Sequence, residues 1–521
     1  MNLKFLKKLN FKISFINYSL LFCGLMYISC NLLIIDQFVK WFLLKDKIDY
    51  LGLGAFFTLG FAVFLIFFLL ISHPKTTKFF SIILCVLSTI SLYFIKKYDV
   101  SIDRTMLMNT IYTDKSEVHS LLSKQMIIYF VFFTIIPTIL ILKTQIIYPK
   151  KYFLKSLKII LICLIIGLGF GFSKYQTIHR AGNLSRKKII YTLIPVNYIR
   201  SSFSVLIYSM KPYFSNRVKE IEVSGTITAP ENLVVVLAIG ETSRQKNFSL
   251  YGYNRQTNPL LSQEKNLHIL NGKARVGSTL YALPEILVKN DIPLTSITSK
   301  LGIDTACYVN YSLYNNCVIP GEIKVENCKR DLCYDEDTIP YLQKNLSEYK
   351  SGSRLIVMHL GGGSHGPSYH ERYPAEFQKF QPICKDADVV NKCTKEELYN
   401  TFDNTILYVD YVVSNIIKTL DKSKVKYVFF YLSDHGESLL EEGRIFHGMP
   451  PGFDLPPEQA QIPLIVKSSI PISIKKFEEY TQQQVFDTIL DLFNIETQVA
   501  DKEKSFIKKI NKSHEKTQKK Q

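Results

Sequence analysis

Four separated stretches hold the residues best suited to chemistry. An apolar run, VVVLAIG, spans 234–240 and ends on Glu241 and Thr242, a carboxylate beside a hydroxyl. GGGSHGP, with His365, follows a second apolar run. SDHGE, with Asp434, His435 and Glu437, follows a third, and FHGMPP, with His447, comes shortly after. Carboxylate oxygen and imidazole nitrogen are good zinc ligands, and a catalytic site keeps one position for the reacting group. Each stretch alone reads as a cap or a turn, since acids suit a helix N-terminus. On that reading Thr242 starts a helix, its hydroxyl satisfying a free backbone N–H. The joint placement of the stretches is what favours a site.

The elements around them explain that placement. NLVVVLAIGE, SRLIVMHLGG, KVKYVFFYLSDHGE and IPLIVKSS read as strands, and KEELYNTFDNTILYVDYVVSNIIKTL as an amphipathic helix. Strands alternating with helices predict a mostly parallel sheet covered on both faces. Such strands are near-continuously apolar. Ligands collect at their carboxyl ends, where the polar clusters fall.

The first third of the chain is different. Five apolar runs, at 13–35, 52–72, 79–95, 126–142 and 157–172, approach the roughly 17–25 residues that cross a bilayer. The N-terminus and the loops after runs two and four carry lysine without acid. The positive-inside rule therefore predicts a cytoplasmic N-terminus and, after five crossings, a C-terminal domain outside the cytoplasm. The net charge of +18 lies largely in these loops, so it marks a membrane protein and not a nucleic-acid binder. The expected organisation is a transmembrane domain over 1–175, an interfacial linker over 176–230, a catalytic domain over 231–500 and a basic solvated tail over 501–521.

Six of the ten cysteines (Cys307, Cys317, Cys328, Cys333, Cys384 and Cys393) lie in the C-terminal part. An even number at short spacing outside the cytoplasm suggests three disulfides. A zinc site is the rival, though no CxxC occurs. Neighbour pairing (307–317, 328–333, 384–393) is the simplest of several open choices.

GETSRQKNFSLYGYNRQTNP, GSTLYALP, GSHGPSYHERYP, FDNTILYVDY and SDHGESLLEEGRIFHGMPP resemble, in order, motifs of the bacterial phosphoethanolamine transferases. That family modifies lipid A and lipooligosaccharide, includes the mobile colistin-resistance enzymes, and belongs to the alkaline phosphatase/sulfatase superfamily. VSIDRTMLMNTIYTDKSEV and PVNYI in the N-terminal half also resemble it. The resemblance implies a five-helix transmembrane bundle followed by an α/β domain of alkaline phosphatase/sulfatase type. It implies a multi-pass inner-membrane protein, expected to be a monomer, with its catalytic domain in the periplasm and a role in polymyxin resistance.

Carried over residue by residue, the resemblance implies one Zn2+ held by Glu241, Thr279, Asp434 and His435, with Thr279 the nucleophile. It places His365 and His447 at the substrate phosphate or at a second zinc during turnover, Glu437 as a nearby polar partner, and Ser278 in the pocket lining. The implied reaction takes phosphoethanolamine from phosphatidylethanolamine onto threonine, releases diacylglycerol, and passes the group to lipid A or lipooligosaccharide. Two half-reactions imply ping-pong behaviour. The alternatives are a phosphoglycerol transferase of the lipoteichoic-acid-synthase type and transfer to another periplasmic acceptor. Three departures stand out. Arg275 and Glu285 occupy the places of a family cysteine pair. His359 precedes His365 by six residues where the family has five, so it is left out of the expected site. A family lysine has no counterpart in YVNYSLYNNCVIPGE.

Overall fold

The computed structural model describes all residues except 1–10, 45–46, 99, 113–123, 185–187, 215–224, 311–322, 326–332, 387, 450–453 and 511–521. Two compact units result, one of Met1–Ile111 with Leu122–Phe214, the other of Ser215–Gln521 with Tyr112–Leu121.

Among the described residues of the first unit five helices are long and apolar enough to span a membrane: α1 (Phe15–Leu32), α2 (Tyr50–Ile71), α3 (Thr77–Tyr98), α4 (Lys124–Lys143) and α5 (Tyr152–Ser173). Ser14 and Asp49 cap α1 and α2 through their side chains. The fifth apolar run looked short, but α5 takes in Lys155 and Lys158 at its start. Their aliphatic stems can lie along apolar surface while the ammonium groups reach water. Inside α4 one turn, Val131–Ile135, is a π-helix. Pro137 follows it and has no N–H for the regular ladder. Part of the stretch expected as a linker folds with this unit. Helix α6 (Val196–Phe214) buries Tyr198, whose hydroxyl lies 3.0 Å from Ser88 Oγ, and Asn31 bonds both the N–H and the C=O of Ile194.

The second unit is built on an eight-stranded sheet. Its strands are β1 (Val234–Gly240), β2 (Leu267–Lys273), β3 (Asp304–Val309), β4 (Ile323–Lys324), β5 (Arg354–Leu360), β6 (Tyr427–Ser433), β7 (Gln461–Ser468) and β8 (Tyr480–Thr481). Their order is β4-β3-β5-β1-β6-β7-β2-β8. Every pairing is parallel except those of β7, which is antiparallel to both β6 and β2. The reason is the connection. The segment between β6 and β7 leaves the carboxyl edge and returns to it without a crossover helix, so the next strand runs back. Central β1 and β6 are buried at every position, as a sheet covered on both faces requires. Val235, Leu237 and Ile239 share a core with Leu283 and Ile286 of α7 (Thr279–Leu287) and Phe486 and Ile489 of α9 (Gln482–Leu492). The long α8 (Lys395–Ser423) opens with a capping box between Thr394 and Glu397 and closes on Lys424 in the left-handed region.

Cys384 and Cys393 form a disulfide, in the predicted pairing. Cys307 and Cys333 are each disulfide-bonded, and Cys317 and Cys328 lie outside the described residues. The region expected as a solvated tail is ordered at its start. Phe506 is buried, and Ile507–Lys509 pairs with Ile472–Ile474.

Candidate active site

The sheet delivers every candidate from its carboxyl edge. β1 ends at Gly240 and presents Glu241. Parallel β6 ends at Ser433, opposite Gly240, and presents Asp434 and His435. β5 carries His359 and leads to His365. β2 runs the same way as β1, because β7 between them is reversed, and its end leads to Thr279 at the first turn of α7.

Glu241, Asp434 and His435 are fully buried and point ligand atoms to within 4.8 Å of one another. Thr279 Oγ1 donates toward Glu241, 3.0 Å from Oε1 and 3.2 Å from Oε2, and lies 3.5 Å from His435 Nε2. Thr279 itself is only partly buried, so its hydroxyl is the accessible member of the set. Asp434 uses Oδ1 to accept the N–H groups of Thr242 and His435. Its Oδ2 is buried with no hydrogen-bond partner, 3.2 Å from His435 Nε2. Burial raises the Asp434 carboxyl above the usual carboxylate range. It lowers His435 to about 3, so the imidazole is neutral at physiological pH. His435 Nδ1 lies 3.1 Å from the Gly436 carbonyl, which fixes the proton there and leaves the Nε2 lone pair facing Thr279. An unsatisfied carboxylate oxygen, an imidazole lone pair and a second carboxylate converge on a hydroxyl. This donor set fits a zinc ion.

The other predicted residues lie beside this cluster. The His447 ring is 4.5 Å from that of His435 and 4.9 Å from that of His365, centroid to centroid. His365 Nδ1 lies 2.6 Å from the Gly366 carbonyl, and burial pushes its pKa well down. Burial opposes a charge on His447 too, but the Glu437 carboxylate, 2.9 Å from its Nδ1, overrides that and lifts it to about 9. Ser278 is buried at the N-cap of α7. The N-terminal end of that helix, with its positive dipole end, is suited to an anion.

Some site residues escaped the sequence reading. His359 is buried, and its Nε2 lies 3.8 Å from Glu241 Oε2. Burial works against a charge on it, but Glu241 raises its pKa. Tyr369 donates to Glu437 Oε1 at 2.9 Å and so completes a Tyr369–Glu437–His447 chain. Asp335 accepts the amides of Gly362 and Gly363, and Asn310 accepts that of Gly361. Gly363, at φ 25°, is held so close that a Cβ would come 2.4 Å from the Glu241 carbonyl. Thr242 is a correction. It starts no helix: its φ is 52°, and it belongs to the turn that hangs Glu241 over the site. The segment searched for the family lysine falls largely outside the described residues.

A parallel sheet with a hydroxyl, two carboxylates and an imidazole at its carboxyl edge defines a class of phosphoryl- and sulfuryl-group enzymes, and the comparisons place the chain in it. Residues 292–495 match the sulfatase family, and residues 60–210 match the family described as phosphoethanolamine transferase EptA/EptB. Phosphoethanolamine transferase EptA of Helicobacter pylori is 29% identical over 517 residues, 94% of this chain and 95% of that protein. Kdo(2)-lipid A phosphoethanolamine 7''-transferase of Escherichia coli is 32% identical over 265 residues, 46% of each chain. The solved structure of the integral membrane protein lipooligosaccharide phosphoethanolamine transferase A (EptA) of Neisseria meningitidis has the same fold, with a TM-score of 0.83. That match has 24% identity and covers 95% of this chain and 98% of that one. In both units the chain is similar to the phosphoethanolamine transferases of the alkaline phosphatase/sulfatase superfamily, and its apolar helices fit a multi-pass membrane protein.

Proposed function

We propose that this enzyme moves phosphoethanolamine from phosphatidylethanolamine to lipid A at the outer face of the bacterial inner membrane, with Thr279 as the covalent carrier. The observation that carries this reading is the Thr279 hydroxyl, accessible and hydrogen-bonded to Glu241 above the buried Asp434–His435 pair. The relatives named above supply the transferred group and the acceptor class.

Glu241, Asp434, His435 and Thr279 would hold the zinc ion. When bound, it supplies positive charge that lowers the hydroxyl pKa and offsets charge on the phosphoryl oxygens. The chain's own groups do the rest. Glu241 fixes the hydroxyl for in-line attack. The Thr279 hydroxyl gives up its proton to solvent and its oxygen bonds to phosphorus as the bond to the diacylglycerol oxygen breaks, and the leaving oxygen takes up a proton. His447, kept protonated by Glu437, offers an N–H to the phosphoryl oxygens, where charge builds up. The amides at the start of α7 face the same charge. In the second half-reaction an oxygen of the acceptor attacks the same phosphorus and Thr279 leaves.

Mass spectrometry of lipid A tests the reading. Cells that express the chain should add one phosphoethanolamine, and Thr279→Ala, folded and in the membrane, should add none. Asp434→Asn should also purify with little zinc. Lipid A that gains the group with Thr279→Ala as it does with the parent chain would remove Thr279 from the chemistry.

A further inference from the structure

The transmembrane unit has an apolar cleft of about 620 Å3 between α1, α3 and α4. Tyr18, Phe22 and Met26 of α1 line one side, and Phe132 and Leu140 of α4 the other. Such a volume is ordinary for a ligand site, which runs from roughly 300 to 1,000 Å3. Its length fits the bilayer. The lining runs along α1 to Cys30. At about 1.5 Å per residue, Phe15 to Cys30 alone rises roughly 23 Å of a hydrocarbon core about 30 Å thick. The π-turn of α4 contributes Phe132 to the wall. Such turns interrupt a helix mostly where there is a functional reason.

One end of the cleft is chemically distinct. Phe11–Ser14 pairs in parallel with Thr144–Ile147, so a short sheet ties the start of α1 to the end of α4. Phe11, Lys12, Ile13 and Thr144 of that sheet line the cleft, and among the described residues Lys12 is its only charged lining residue. No described carboxylate lies within ion-pair distance of Lys12. The segments 1–35, 72–98 and 124–174 contain no Asp or Glu, while Lys75, Lys78, Lys143, Lys150, Lys151 and Lys155 cluster at the helix ends there. Lys78 Nζ donates to the Leu142 carbonyl at 3.1 Å, which places both of these ends together.

We propose that this cleft holds one anionic phospholipid, with acyl chain between α1, α3 and α4 and phosphate at Lys12. This resident lipid is separate from the donor and acceptor of the reaction. The lining supplies apolar contact along the chain, the lysine end meets the head group, and basic pockets between membrane helices are favourable places for anionic head groups. The site needs no particular reaction at Thr279, so it stands or falls apart from the proposed function.

Native mass spectrometry of the full chain tests this, after reconstitution in bilayer discs of equal phosphatidylglycerol and phosphatidylcholine. One phosphatidylglycerol per chain should be retained about fivefold over phosphatidylcholine, the equivalent of roughly 1 kcal/mol from one lysine. Lys12→Ala should erase the preference and Lys12→Arg should keep it. Ser29→Phe, which fills the cleft from α1, should release the lipid. Equal retention of the two lipids by the parent chain overturns the proposal. So does a preference that survives Lys12→Ala, or a lipid still retained by Ser29→Phe in chain that remains folded and active.

Discussion

At the scale of residues, the accessible Thr279 hydroxyl rests on buried groups that are already committed. Asp434 spends one oxygen on two backbone amides and keeps the other free. His435 is neutral and oriented. Each therefore meets a cation with little reorganisation. Glu437 does the same for His447, and Tyr369 in turn holds Glu437. Tyr369→Phe removes one hydrogen bond and leaves the ring. We expect kcat to fall up to about tenfold with little change in KM, since one such bond is worth about 1 kcal/mol. Steady-state kinetics of the purified variant reads this; an unchanged kcat would make the chain from Tyr369 to His447 irrelevant to turnover. Glu241, Asp434 and His435 were legible because they follow strand ends, whereas Thr279 came only from the motif resemblance. His359 was not, because it sits on the strand itself, and a three-glycine loop tied to Asn310 and Asp335 separates it from His365. Thr242 was misread because a left-handed turn leaves no mark on hydrophobic periodicity.

At the scale of elements, the loop that carries Asp434 to His447 is anchored from beneath. Arg244, wholly buried, reaches Glu441 Oε1 at 2.6 Å and donates to the Glu437 carbonyl at 3.1 Å. Tyr399 also donates to Glu441, at 2.8 Å. Burial alone would raise the Glu441 carboxyl, but Arg244 overrides it and holds it at about 2, against an ordinary 4.5. Because the folded pKa is depressed, this stabilisation is fully present above pH ~4.5 and is lost as pH falls toward 2. Glu441→Gln leaves a buried guanidinium unpaired and should cost about 3–5 kcal/mol at neutral pH. It should also flatten the acid slope of stability in that window. Thermal unfolding of the full chain in detergent at several pH values measures both effects. A melting temperature unchanged by the substitution would mean the pair does not hold the loop. The sequence showed the strands but not the reversal of β7. Apolar periodicity is the same in either direction, and only the returning loop sets it.

At the scale of the whole molecule, the chain joins a membrane-spanning unit to a sheet-based unit that has its own core. The apolar run lengths gave the first and the strand–helix alternation gave the second. The lysine-rich, acid-free ends of the bundle predict that they face the cytoplasm and that the sheet unit lies on the other side. Trypsin added to spheroplasts should then cut the sheet unit, and trypsin added to inside-out vesicles should leave it whole. The opposite pattern would reverse the orientation and separate the site from the outer face where the acceptor is proposed to be.

The central claim is covalent transfer through Thr279. The direct measurement is intact-mass and peptide mass spectrometry of the purified enzyme, quenched in acid after exposure to phosphatidylethanolamine with no acceptor. The account predicts one phosphoethanolamine per chain, located on the peptide that contains Thr279, absent in Thr279→Ala, and discharged when lipid A is added. A modified residue other than Thr279, or turnover with no modified enzyme at any time, would contradict it.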